Sequence, residues 1–182
     1  LITKRKEIFD NEKKVEIFSS VQPDGLMTKL MGQNLMRKDG NSHFNERKAI
    51  FPSISPKTTN SVWKEEFFKI AERILEKLKK QKECDIVSDY AMPLSAEALK
   101  IITGLINMDF KEMNRVSQGM IDGISNYIGD KKIEENCISC TKSIDNHIDD
   151  VKSYLIKNPD NSLLSTQLRF GLNDEQIKAN IK

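Results

Sequence analysis

The sequence predicts a mainly α-helical chain, and three observations carry that prediction. Apolar residues recur at steps of three and four through several long segments, the pattern of helices with one buried face. Asp109 with Glu112, and Asn173 with Gln176, have the spacing with which a side chain caps the free N–H groups of a helix start. Only eight Gly and five Pro punctuate 182 residues, too few for a loop-rich chain.

Taken in order, Thr3 to Glu16 is charged, with Ile8, Phe9 and Val15 as apolar points, and predicts a short helix before Phe18-Ser19-Ser20. Residues 21–41 predict a loop, marked by Pro23, Gly25, Gly32 and Gly40. Leu26, Met27, Leu30, Met31, Leu35 and Met36 make it apolar, and apolar loops cover a core or a ligand. A helix follows from Ser42 to Phe51, ending near Pro52. The next begins after Pro56, capped by Asn60 or Ser61, and buries Trp63, Phe67, Ile70, Ile74 and Leu78. Cys84 to Val87 has strand-like residues in a run too short to define a strand. Ser88 or Asp89 then caps a helix carrying Ala91, Leu94, Ala98, Ile101, Ile102 and Leu105. Asp109 opens one with Met113, Val116, Met120, Ile124 and Tyr127 on one side, and Gly129-Asp130 breaks it. Ile133, Cys137, Cys140, Ile144, His147, Val151 and Tyr154 trace a single stripe over about six turns. Asn158-Pro159 ends that helix, a short one spans Leu163 to Phe170 up to Gly171, and Asn173 caps the last. The length suits one domain or a large piece of one, with no internal repeat.

Composition excludes several functions. Lys and Arg number 29 against 27 Asp and Glu, a net charge of +2, so no basic field marks a nucleic-acid partner. No run approaches the ~18 apolar residues of a membrane span. Three Cys is an odd number for a secreted disulfide framework, which makes a reducing, cytoplasmic setting the expectation. The chain starts at Leu1 rather than Met and stops two turns after the Asn173 cap. Both ends predict a piece of a longer protein, with any anchor or targeting signal outside it.

Few residues carry chemistry. Cys140 and His147 are separated by roughly 10 Å of helical rise, too far to share one zinc ion with bonds of about 2.0–2.3 Å. With Cys137 they read as core or interface positions, so no metal site is expected. Cys84 has no His near it in sequence. Asp145, Asp149 and Asp150 read as a solvated helix face rather than a calcium loop. No phosphate cradle, nucleophile elbow or carboxylate pair stands out, and no catalytic residue is assigned. The stretch Asp39-Gly40-Asn41-Ser42-His43-Phe44-Asn45-Glu46-Arg47 is different. On a helix, His43 and Arg47 lie four apart on one face, and Arg can grip a carboxylate or phosphate through two bonds. Spacing alone still favours an ordinary surface pair.

The wider text resembles a known family. Phe18-Ser19-Ser20, the apolar loop, Met36-Arg37-Lys38-Asp39-Gly40, His43, Arg47 and Phe51-Pro52-Ser53-Ile54-Ser55-Pro56 resemble the B-to-C region of soluble bacterial cytochromes P-450. Asp85 to Leu94 is similar to the entry into that family's E helix, and Ile101-Ile102-Thr103-Gly104-Leu105 to the end of it. Leu172 to Ile181 looks like the beginning of the central I helix. The matches fall in order along essentially the whole chain.

The resemblance implies a mainly α, partial cytochrome P-450 fold, helices B to H and the start of I, with residues 1–182 forming part of a single domain. It implies a haem-dependent monooxygenase that hydroxylates a hydrophobic small molecule with O₂ and electrons from a ferredoxin- or flavoprotein-type donor. The cofactor would be haem b, with His43 and Arg47 on its propionates. The helices near Asp109–Tyr127 and Ile133–Tyr154 would be lids, and Leu30, Leu35 and Met36 in the loop, with Ile121 and Ile124 on the first lid, would touch substrate. Lys48 and Arg37 are candidates for docking an acidic donor, although ordinary solvated side chains explain them equally well. The axial Cys thiolate, the acid/alcohol pair of the I helix and the Glu-x-x-Arg motif of the family have no counterpart in this chain. The competing reading is a non-enzymatic helical ligand-sensing or protein-interaction module.

Overall fold

Every regular element is helical among residues 2–182, which the computed structural model describes. The first helix, α1 (Arg5–Glu12), buries none of its residues. The apolar loop is more ordered than its glycines suggest: it holds α2 (Leu26–Met31) and a 3₁₀ turn at Leu35–Arg37. Gly32 separates the two at φ 93°, and a Cβ there would meet Ala179 Cβ at 3.2 Å. Only glycine serves at such a turn, against so close a neighbour.

Helix α3 (Gly40–Ile54) starts two residues earlier than expected and runs through Pro52. It stops at Ser55, which precedes a proline and is extended (φ −63°, ψ 150°). Ser55 accepts from Thr58 N and so caps the next helix in place of Asn60 or Ser61. Short α4 (Pro56–Thr58), a π-helical turn (Thr59–Trp63) and α5 (Lys64–Leu78) then follow without a break. Trp63 is buried and donates its indole N–H to Ser53 O at 2.7 Å, tying α5 to the end of α3.

The strand-like run at Cys84–Val87 is not a strand. Asp85 Oδ1 accepts from Val87 N and Ser88 N at 2.9 and 2.7 Å and starts a π-helical turn (Ile86–Ala91), which leads into α6 (Met92–Thr103). Asp85, not Ser88 or Asp89, is therefore the cap. Leu105 lies beyond the helix end, after Gly104, and is buried there.

Asp109 caps α7 (Phe110–Ile124) as its sequence predicts, but Glu112 does not return the bond; it pairs with Arg115 and Ser143. Tyr127 and Ile128 fall outside α7 and are 88% and 89% exposed, so Tyr127 is not on the buried side. The Asn126 amide exchanges two hydrogen bonds with Asp130 backbone across the turn and turns the chain outward. The long helix α8 (Lys131–Lys157) packs along α7, with α9 (Leu163–Phe170) and α10 (Asp174–Ile181) beyond it. At Asn173 the reciprocal cap with Gln176 is complete.

The core lies in the second half. Leu105, Met108, Val116, Cys140, Ile148, Leu155, Leu164 and Ile177 are at most 2% exposed and form one cluster with Ala96. At the α7–α8 crossing a Cβ on Gly119 would lie 2.4 Å from Cys140 Sγ, and one on Gly123 2.4 Å from Cys137 Sγ. Both thiols are packing atoms, and burial raises their pKa above the ordinary value.

Candidate functional site

The site begins with the way α3 divides its faces. Glu46, Ala49, Ile50 and Ser53 recur at helical spacing and are buried. His43 is half-buried and Arg47 exposed, one turn apart on another face. Neither side chain enters a hydrogen bond or ion pair among the described residues. Two donors that the sequence placed on one helical face are therefore both free to take an anionic ligand.

The start of α3 is fastened by Asp39. Its carboxylate accepts from Ser19 Oγ at 2.5 Å and from Ser20 N at 3.1 Å, which draws the Phe18-Ser19-Ser20 segment onto the helix. The Ser19 hydroxyl is the main reason the Asp39 pKa lies below the usual carboxylate value; His43 adds a smaller attraction. Arg37, just before the helix, is half-buried with an Nε that is fully buried and has no partner. A buried cationic donor without an acceptor, packed against α3, fits an anionic group at this end of the molecule.

Lys48 stands over the Phe44 ring, 4.4 Å from its centroid, on the exposed part of α3. The two side chains suggested for donor docking thus differ: Lys48 is open to solvent, whereas Arg37 is partly enclosed.

The five apolar positions suggested for substrate contact do not form one surface. Leu30 packs on α7, where a Cβ at Gly123 would meet its Cδ1 at 3.3 Å. Leu35 is half-buried in the 3₁₀ turn, with its N–H bonded to Asn180 Oδ1 at 2.8 Å. Met36 is 58% exposed. Ile124 is half-buried at the end of α7. Ile121 opens into a groove with Ala91, Met92 and Ser95 of the α6 region. Residues 121 and 123 project roughly 200° apart on a helix, so Ile121 and Leu30 lie on different sides of α7.

The sequence reading passed over Glu46. It is fully buried, its Oε1 accepting from Lys38 Nζ at 2.5 Å and Gln176 Nε2 at 2.8 Å, and its Oε2 from Asn180 Nδ2 at 3.1 Å. A signal was present: a glutamate in register with Ala49, Ile50 and Ser53 breaks an otherwise inward-facing stripe.

A wide apolar groove of about 600 Å³ separates α5 from α6 and is lined by Phe67, Phe68, Ala71, Tyr90, Leu94 and Ala98. Among the described residues no group of three His, Cys, Asp or Glu side chains could hold a metal ion, and no helix is long and apolar enough to cross a membrane.

No family model matches the sequence. Solved structures do match the fold. P450BioI, in complex with an acyl carrier protein ligated to hexadec-9Z-enoic acid, superposes with a TM-score of 0.74 at 15% identity, over 90% of this chain and 44% of that one. The myxobacterial cytochrome P450 CYP267B1, in complex with myristic acid, gives 0.67 at 15% identity, over 85% and 38%. Substrate-free CYP109E1 from Bacillus megaterium gives 0.65 at 19% identity, over 87% and 42%. The chain spans less than half the length of these three proteins, and its fold is that of the corresponding part of a cytochrome P450.

Proposed function

We propose that this chain is the part of a haem-dependent monooxygenase that grips the haem propionates and carries elements of the substrate enclosure. The observation behind this reading is the pair His43 and Arg47, aligned on α3 with no partner inside the protein. Propionates are carboxylates, and a forked guanidinium beside an imidazole donor suits them in charge and in hydrogen-bond geometry. Arg37 Nε is a third donor in want of an acceptor.

When bound, haem supplies the iron at which O₂ is activated. The residues of this chain bind and orient. Arg47 offsets propionate charge, and His43 donates a hydrogen bond from the same face. The apolar loop and α7 shield apolar surface, with Leu30 and Leu35 held in place and Met36 exposed. The substrate class is a hydrophobic small molecule. Fatty acyl chains accompany two of the matched proteins, and corticosterone and testosterone are bound in two CYP109E1 structures, which supports an apolar substrate without choosing among them. The electron donor in this reading is a ferredoxin or flavoprotein, with Lys48 as its nearest exposed cation on α3, in a cytoplasmic setting.

The test is the absorption spectrum of the complete protein, reduced and treated with CO. A red-shifted Soret band, from a haem b held by a Cys thiolate outside these residues, is the expected result. A protein that takes up no haem contradicts the proposal and leaves the ligand-sensing or interaction module.

A further inference from the structure

Resting on the propionate reading, we propose that Glu46 is a positioning residue, which sets the rotation of α3, and so the aim of His43 and Arg47, from the final helix of the chain. Its carboxylate is enclosed by three donors from two separate segments: Lys38 before α3, and Gln176 and Asn180 on α10. The network extends further. Asn180 Nδ2 also reaches Gln167 Oε1 of α9 at 3.2 Å, and Asn180 Oδ1 accepts from Leu35 N at 2.8 Å. One buried carboxylate thus links the 3₁₀ turn, α3, α9 and α10 across more than 130 residues of sequence.

Geometry explains how such a hub controls the site. Residues on a helix are spaced by about 100°, so Glu46 projects roughly 60° from His43 and 100° from Arg47. Any turn of α3 that carried Glu46 away from its donors would swing both site residues by the same angle. Apolar packing is non-directional and would tolerate small rotations, whereas three hydrogen bonds to one carboxylate do not. A buried ion pair adds little net stability over an apolar replacement of equal size, so its distinctive contribution is a unique orientation. Gln176 and Asn180 are themselves fixed. Gln176 closes the Asn173 cap, and Ala179 lies against Gly32.

The test is a cycle of haem-loss rates in the full chain, measured by transfer to a haem scavenger. Glu46→Gln keeps the shape and removes the charge. It should speed haem loss by about tenfold or more, the value of a charged hydrogen bond. In a chain already carrying His43→Ala and Arg47→Ala it should change the rate less than about twofold, because the aim no longer matters. Asn180→Ala, which keeps the Lys38–Glu46 pair, should repeat the pattern and serves if the glutamine variant does not fold. Equal acceleration in both backgrounds overturns the proposal, since Glu46 would then act only on stability.

Hydrogen exchange of the chain without haem supplies an independent readout. Glu46→Gln should speed exchange in both 35–38 and 174–181, and unchanged exchange in either segment overturns the linkage. If His43→Ala with Arg47→Ala leaves haem loss unaltered, the propionate reading fails, and the exchange result alone decides whether the hub holds the two segments together.

Discussion

The two halves of the molecule are held together by different physics. From α6 onward the helices enclose a continuous apolar cluster, closed at the α7–α8 crossing by glycines against cysteines. Before α6 burial is sparse: α1 buries nothing, α2 buries Met31, and α3 is fixed to the rest through Glu46, Trp63 and a few apolar contacts. The second half is a frame whose cohesion comes from area removed from water. The first half is an arm with fewer buried apolar residues, Ala49, Ile50, Trp63, Ile70 and Ile74 among them, located in addition by a small number of directional bonds. The unpartnered donors His43 and Arg47 both sit on the arm, where the protein leaves polar groups available to a ligand, and so does the buried Arg37 Nε.

The contrast can be broken at defined places. Glu46→Ala should have the largest effect, destabilising by about 3–5 kcal/mol because the partly buried Lys38, Gln176 and Asn180 donors all lose their acceptor. Chemical denaturation reads it, and an effect under about 1 kcal/mol would mean that the arm is not located by this bond. On the frame, Gly123→Ala should cost about 1–3 kcal/mol, since its Cβ would overlap Cys137 Sγ. Improved stability there would show that α7 and α8 can separate freely.

An acid titration of stability sharpens the comparison from the frame's polar edge. The Arg115 guanidinium, with help from Ser143, pulls the Glu112 pKa from 4.5 down to about 2. A depressed carboxylate stabilises the fold above its unfolded pKa. That contribution is present above pH 4.5 and fades as pH falls toward about 2. With Arg115 half open to solvent it amounts to about 1 kcal/mol, and Glu112→Gln should remove this part of the acid dependence. The smallest effect belongs to Lys178→Met, which gives up pairs with the exposed carboxylates of Asp149 and Asp174 and should cost about 0.2–1 kcal/mol in a thermal melt.

The same division decides what could be read from the sequence. The stripe from Ile133 to Tyr154 predicts α8 because each turn repeats the same one-sided demand, and Asp109 and Asn173 cap where their side chains can reach backbone two or three residues on. The His43–Arg47 register was legible for the same reason. Glu46 was legible only as a charge on an inward-facing stripe; its partners Gln176 and Asn180 lie 130 and 134 residues away, and no local pattern contains them. Helix α2 is six residues long without a side-chain cap, so its apolar residues read as a loop. Ile121 and Leu30 lie on different sides of α7 because Leu30 packs at Gly123, two residues along that helix, a tertiary contact that no local pattern contains.

The most direct measurement is the rate at which the complete protein loses haem when His43 and Arg47 are both replaced by alanine. The two helix-borne donors together should slow that loss by at least about tenfold, with the denaturation midpoint of the frame nearly unmoved. Haem held as long by the double variant as by the parent would contradict the account.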